Sequence, residues 1–364
     1  MQSIKRIVLS LLLALSLLCS PAALQPTFAT ILFAGGEDVD FSLIGDTAPS
    51  NTSGFFRTGY ARSAIRVSTT ATTDPNNNRF YTPTFTAGST IWFHAVERNE
   101  NNTTETSNGQ YLCAISPDAV CRLVIRAVTG TQVKISKRDS AGSFTDLVTC
   151  SLGAWPLNSL TEMDWFINYN TSGSTIIYVG GVNICSYTGN VTTDSATQIN
   201  QFYLSNGSAF HGTYWSEIII ADTDTRDMNL FTCFPSGAGT TQSWTGAYTD
   251  VSPVTITDTA AITTTSTSAI GNFTCPSLPS GAFTVPAVVQ SARVQGATGS
   301  ITNFRFNSRP AGAGADFDTT SDIAVTGIFQ NYPNRIITLN PNTSTPWTTT
   351  TLGAGVNFGV KSRP

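Results

Sequence analysis

The chain has 364 residues, enough for two cores of ordinary size, and only 12% of them are charged, with a formal net charge of -4. Lysine and arginine form no cluster beyond the first few residues, which excludes a nucleic-acid footprint and argues against an anionic membrane surface as partner. Abundant Ser, Thr, Asn and Gly instead suit an extracellular β-rich protein whose short strands need many turns.

Lys5 and Arg6 precede an apolar run from Ile7 to Leu18 and then small residues, the pattern of an export signal cleaved after Ala22 or Ala29. Residues 1–29 are therefore expected to be a signal peptide, and the apolar run is short for a bilayer span. Its removal takes Cys19 away and leaves Cys113, Cys121, Cys150, Cys185, Cys233 and Cys275. An even number of cysteines in an exported chain predicts disulfides, and proximity along the chain favours Cys113 with Cys121, Cys150 with Cys185, and Cys233 with Cys275. Zinc is disfavoured, because there is no CxxC pair and the two histidines are His94 and His211.

After Thr30, strands are predicted at Ile31–Gly35, Tyr60–Ser68, Phe80–Phe85, Ser89–Val96, Gln110–Ile115, Leu123–Val128, Gln132–Lys137 and Phe144–Thr149, a march of short apolar alternations with sandwich-like spacing. A short helix is expected at Pro156–Thr161. In the stretch from Glu162 to Tyr187, Met163, Trp165, Ile167 and Tyr169 alternate with polar or outward residues, and two β-branched runs are separated by Gly180-Gly181. That pair permits the positive φ angles of a two-residue hairpin, so three consecutive antiparallel strands are predicted. Ile199–Ser205 and Tyr214–Asp222 follow. Asp224 is expected to cap a helical turn through Met228 and Leu230. The domain boundary is placed there, giving residues 30–222 and 223–364. Short strands at Trp244–Tyr248, Val254–Thr257, Ala260–Thr265, Gly271–Thr274, Ala282–Ala292, Thr302–Asn307, Ile323–Phe329 and Gly353–Lys361 suggest a smaller second sandwich.

The runs CRLVIRAVTG at Cys121–Gly130, the hairpin within Thr175–Tyr187, and Phe202–Asp222 ending in YWSEIIIAD resemble a concanavalin A-like, laminin-G-type jelly roll. The segments Asp224–Val251 and Pro276–Gly296, with Gly353–Ser362, are similar to the second half of bacteriophage virion proteins that join such a jelly roll to another β-domain. The resemblance implies an all-β chain: a jelly-roll sandwich followed by a smaller C-terminal β-sandwich. It also implies a structural or binding role in a particle.

Hydrolases of the concanavalin A-like fold carry ExDxE or ExDxxE on one strand. Glu162-Met163-Asp164 begins such a motif, but Phe166 and Ile167 stand where the second Glu belongs, and retaining hydrolysis needs two facing carboxyl groups. No nucleophile motif flanks His94 or His211. The chain is accordingly expected not to be an enzyme. Asp222, Asp224 and Asp227 are candidate calcium ligands by their proximity, and no other cofactor is expected. Among aromatics suited to stack on sugar rings, Trp155, Tyr203 and Trp244 are candidate binding residues, Tyr111 and Trp215 being weaker ones in strands, with Asn206 and His211 supplying polar contacts from a loop. The expected function is non-catalytic binding at a virion or extracellular surface, to a cell-surface glycan or to virion or envelope subunits, with homo-oligomers possible. A secreted adhesin or an exported glycan hydrolase is the alternative.

Overall fold

The computed structural model describes residues 29–41, 43–44, 50–52, 54–68, 79–100, 109–129, 132–151, 158–205, 212–254, 258–276, 278–279, 281, 283–296, 300–353 and 355–364. The expected signal peptide lies outside them, apart from Ala29. Among the described residues no helix is long and apolar enough to cross a membrane.

The strands of the first half are β1 (Ile31–Gly35), β2 (Leu43–Ile44), β3 (Ser50–Thr52), β4 (Ala64–Ser68), β5 (Arg79–Tyr81), β6 (Thr90–Asn99), β7 (Gly109–Ile115), β8 (Cys121–Thr129), β9 (Gln132–Arg138), β10 (Phe144–Ser151), β11 (Thr161–Asn168), β12 (Gly173–Val179), β13 (Val182–Gly189), β14 (Gln201–Ser205) and β15 (Gly212–Ala221). They form two antiparallel sheets. One runs β13-β12-β11-β6-β15-β4-β3, with β1 also paired to β15; the other runs β10-β9-β8-β7-β14-β5-β2. Their facing sides share one core, in which Phe93, Met163, Trp165, Ile167 and Trp215 from the first sheet meet Leu112, Leu123, Ile125, Ile135, Phe202 and Leu204 from the second. This is a jelly-roll sandwich, built as period-two alternation dictates. Trp165 is fully buried and its indole N–H donates to Thr175 Oγ1 at 2.7 Å, so its one polar atom is satisfied inside the core.

The β12–β13 hairpin turns on Gly180 and Gly181, at φ 55° and 76°, with Val179 opposite Val182. Two of the three disulfides lie in this half. Cys113–Cys121 links neighbouring strands β7 and β8, whereas Cys150–Cys185 ties β10 of one sheet to β13 of the other. Cys233–Cys275 lies beyond it. Three disulfides point to an oxidising, extracellular setting.

Among the described residues, no sheet combines a strand ending by Ala221 with a strand beginning at or after Gly237. The later strands are β16 (Gly237–Gln242), β17 (Ile270–Thr274), β18 (Thr284–Val285), β19 (Val288–Val294), β20 (Asn303–Arg309), β21 (Phe317–Asp318), β22 (Ile323–Ala324), β23 (Gln330–Ile337), β24 (Leu339–Asn340), β25 (Thr345–Thr348) and β26 (Asn357–Arg363). They form a smaller β-sandwich of one main sheet (β16-β17-β26-β20-β21, with β22), a three-stranded sheet and the β19–β23 pair. A cavity of about 1400 Å³ opens between these strands and the first half, bordered by Phe273, Phe304 and Phe358 on one side and by Ile31, Arg62 and Ile219 on the other.

Three expectations are corrected here. Asp224 opens no helix: its Oδ1 accepts the Arg226 N–H at 3.1 Å and the Met228 N–H donates to the Thr225 carbonyl at 2.8 Å, a single turn that ends before Leu230. Trp244–Tyr248 is not a strand, and Tyr248 opens the four-residue helix α1 (Tyr248–Val251). The helix expected at Pro156–Thr161 falls partly outside the described residues, and Asn158–Leu160 are a bend leading into β11.

The two halves meet through Ile31, Ala34, Ile219 and Ala221 on the outer side of β1 and β15, against Met228, Leu230, Ala287, Val289 and Ile336. A polar clamp flanks this contact. Arg62 grips Glu37 with two bonds of 2.6 and 2.7 Å and also donates to the Ser252 carbonyl. Asp40, in the 3₁₀ turn Asp38–Asp40, accepts the N–H groups of Gly36 (2.8 Å) and Glu37 (3.0 Å) and hydrogen-bonds Ser291 of β19. Burial pushes its pKa up to about 6 despite these bonds. The turn is tight enough that a Cβ on Gly35 would sit 2.5 Å from the Asp40 Cβ.

Candidate binding face

Alternation turns every second residue of the second sheet away from the core. Cys113, Val124 and Tyr203 form a small outward cluster with Ile115 and Cys121, and Tyr81 and Phe144 pack at its edge. Register places Tyr203 of β14 beside Tyr81 of β5 on one side and Cys113 of β7 on the other. The two tyrosine rings meet edge-on with centroids 5.8 Å apart. The Arg79 guanidinium lies over both, 5.5 Å from the Tyr81 ring and 5.0 Å from the Tyr203 ring. At the far end Arg126 and Arg138 lie over Phe144, at 4.5 and 5.3 Å.

Only part of this positive charge is neutralised. Arg126 and Lys134 both contact Asp146, at 3.1 and 2.6 Å, and Ser136 donates to the same carboxylate. Burial pushes the Asp146 carboxyl up, but Lys134, Ser136 and Arg126 together hold it below its ordinary range. Arg138 donates to the Gly142 carbonyl at 3.2 Å. Burial raises the Tyr203 hydroxyl far above its usual range, with the charges of Arg79 and Arg138 opposing the shift. Tyr203, only 2% exposed, therefore stays neutral at any physiological pH and forms the buried floor between the half-buried Tyr81 and Phe144. Flat half-buried rings and guanidinium forks make a surface suited to holding a ligand.

Tyr203 is the one expected binding residue that the structure brings onto this face. Trp155, Asn206 and His211 lie outside the described residues. Trp244 belongs to the other half, where its indole N–H donates to the Ala269 carbonyl at 3.0 Å. Tyr111 and Trp215 pack against each other in the core, centroids 4.9 Å apart. Sequence reasoning missed Arg79, Tyr81, Arg138 and Phe144. The available signal was parity, since Arg138 stands out of phase with the inward Val133 and Ile135.

The motif begun at Glu162 has a different outcome from the one its spacing implies. Phe166 faces outward against Trp92, and Ile167 is in the core. A carboxylate nevertheless stands near Glu162: Glu217, at a bulge of β15 with φ 51° and fully buried. Arg57 bridges the two, donating to Glu162 Oε1 at 2.6 Å and to both Glu217 oxygens. Burial raises the Glu217 pKa while Arg57 opposes it. Asp164 is not solvated; it is buried and accepts bonds from Thr225 Oγ1 (2.8 Å) and the His94 ring (Nδ1, 2.9 Å).

The candidate calcium ligands do not converge on one another: Asp222 Oδ1 accepts the Thr30 N–H, Asp224 pairs with Arg226, and Asp227 borders the cavity between the halves. Among the described residues no group of three or more His, Cys, Asp or Glu side chains is placed to hold a metal ion.

No family model and no curated protein matches this chain. Solved structures show a distant likeness. An endo-β-1,4-glucuronan lyase from the fungus Trichoderma reesei is 13% identical over 55% of this chain and 98% of its own, with a TM-score of 0.43. A cellulose-induced protein is 11% identical over 52% of this chain and 92% of its own, with a TM-score of 0.37. The binding domain of a Paraclostridial mosquitocidal protein is 11% identical over 53% of this chain and 48% of its own, with a TM-score of 0.38. Similarity at this level assigns no shared chemistry.

Proposed function

We propose that the chain is a non-catalytic, extracellular binding protein whose jelly roll takes a glycan on the outward face of the second sheet. The observation that carries this reading is the set of half-buried rings of Tyr81 and Phe144 interleaved with Arg79 and Arg138 above the buried Tyr203. Rings of this kind stack on the C–H faces of sugars, and the polar groups between them fix orientation. The second half serves as the attachment module, with the domain boundary between Asp222 and Gly237. The carrier is a phage-like virion or tail component, or a secreted adhesin led out by residues 1–29; neighbouring capsid or tail genes favour the first and envelope genes the second. A glycan array on the chain lacking residues 1–29 tests the binding reading, with Tyr81→Ala as control. Binding that is lost in the variant supports it, and absence of any glycan signal overturns it.

A second reading, an exported glycan hydrolase, draws on the proximity of Glu162 and Glu217. Arg57 donates to both carboxylates, which leaves neither free as nucleophile or acid. Turnover of a polysaccharide panel that Glu162→Gln abolishes would establish the enzyme instead.

A further inference from the structure

The arginines and lysines of this protein are nearly all neutralised locally. Of the seventeen described, thirteen form ion pairs with Asp or Glu; Arg79, Lys137, Arg138 and Arg335 do not. Lys137 is occupied by the carbonyls of Asn190 and Thr192, and Arg335 is an exposed residue of β23 in the second half. The remaining two border one cluster: the Arg79 guanidinium lies 5.0 Å over the Tyr203 ring, and that of Arg138 lies 5.3 Å over Phe144, which packs on the same cluster. Arg126 and Lys134 stand on the same face, both in contact with Asp146. A surplus of positive charge therefore gathers around one tyrosine in a chain whose net charge is -4.

We infer that the face around Tyr203 is selective for anionic polysaccharide, gripping the carboxylate or sulfate groups of the sugar with Arg79 and Arg138 while the rings of Tyr81 and Phe144 stack on it. The inference rests on the glycan reading above and narrows its ligand class. A guanidinium matches the two-oxygen geometry of a carboxylate or sulfate and forms charge-assisted bonds that an ammonium matches less well. Stacking on an aromatic ring fixes the plane of each guanidinium; Arg138 uses its Nε–H on the Gly142 carbonyl, and its terminal nitrogens are the ones proposed to meet the ligand. On the outward side of the first sheet every arginine named has an acidic partner: Arg57 is held between Glu162 and Glu217, Arg226 is held by Asp224, and Arg66 and Arg98 both pair with Glu100.

The test is titration calorimetry on the chain lacking residues 1–29, with polygalacturonate, dextran sulfate and unmodified dextran as probes. At least one anionic polymer is expected to bind more than about tenfold tighter than dextran, and the preferred polymer separates carboxylate from sulfate recognition. Arg79→Gln with Arg138→Gln should weaken that binding by at least about tenfold, and added salt should weaken it further, whereas Arg335→Gln should leave it unchanged. Melting curves of all variants establish that each is folded. Equal affinity for dextran and the anionic polymers overturns this inference and leaves the glycan reading standing. Binding that Arg335→Gln weakens as much as the double substitution also overturns it, as does binding that the double substitution leaves intact. Failure of all three polymers overturns the inference, and only an equally silent glycan array takes the broader reading with it.

Discussion

Asp40 should make the stability of this protein fall as the pH rises through the mildly acidic range. Its carboxyl moves from an ordinary 3.8 to about 6 in the fold, mainly because it is buried where the 3₁₀ turn meets Ser291. A carboxyl that holds its proton more tightly when folded contributes stability in full below its unfolded value, and that contribution is lost as the pH climbs through its folded value. The shift corresponds to about 3 kcal/mol in all, of which about 2 kcal/mol is expressed between about pH 4.5 and pH 7.5. Carboxyls held low by cations, such as Asp258 beside Arg293 and Asp322 beside Arg305, act in the opposite sense and lose their contribution only in stronger acid. The comparison is therefore made against Asp40→Asn, which keeps a carbonyl to accept the Gly36 and Glu37 N–H groups but cannot ionise. Urea unfolding of both proteins across this range should give a wild type that loses about 2 kcal/mol relative to the variant as the pH rises. Parallel pH profiles would refute the reasoning and assign Asp40 an ordinary carboxyl.

Three further outcomes follow from burial and covalent ties. Arg57→Met leaves the buried Glu217 carboxylate without its counter-ion and should cost about 3–5 kcal/mol in denaturant unfolding, while Arg57→Met with Glu217→Met recovers most of that. Replacing Cys150 and Cys185 by Ala opens a link of sequence separation 35 and should cost about 4 kcal/mol, against about 2.5 kcal/mol for the Cys113–Cys121 pair at separation 8; equal losses would contradict a chain-entropy origin. Trp165→Ala should cost about 3–5 kcal/mol in the same assay, because it empties a core site and leaves the Thr175 hydroxyl without its donor.

The first half was legible where alternation was clean and the turns had distinctive chemistry. Met163, Trp165 and Ile167 point inward as their parity requires, and two adjacent glycines mark the hairpin. What alternation leaves open is which outward positions assemble. Arg79, Tyr203 and Arg138 come from strands far apart in the sequence, and only the pairing of β5 with β14 and of β14 with β7 brings the first two onto one face. Glu217 was hidden more deeply. A bulge re-aims its side chain, and no local spacing connects it to Glu162. The second half was read less well because its strands are short. Gly237–Gln242, GAGTTQ, has turn-like composition yet pairs with β17, while the apolar Trp244–Tyr248 lies outside any strand. Tertiary pairing outweighed propensity in both places.

The first and last strands of the jelly roll lie side by side. Ile31 is opposite Ala221, the Thr30 N–H donates to Asp222 Oδ1 at 2.9 Å, and the Asp222 N–H donates back to the Thr30 carbonyl. Neighbouring termini give the jelly roll a single seam at which it joins the polypeptide around it. A module of that kind can be spliced into a host loop, or permuted by closing the seam and cutting elsewhere, without rerouting any of its strands. Modular reuse is thus built into the way the chain begins and finishes its first sandwich.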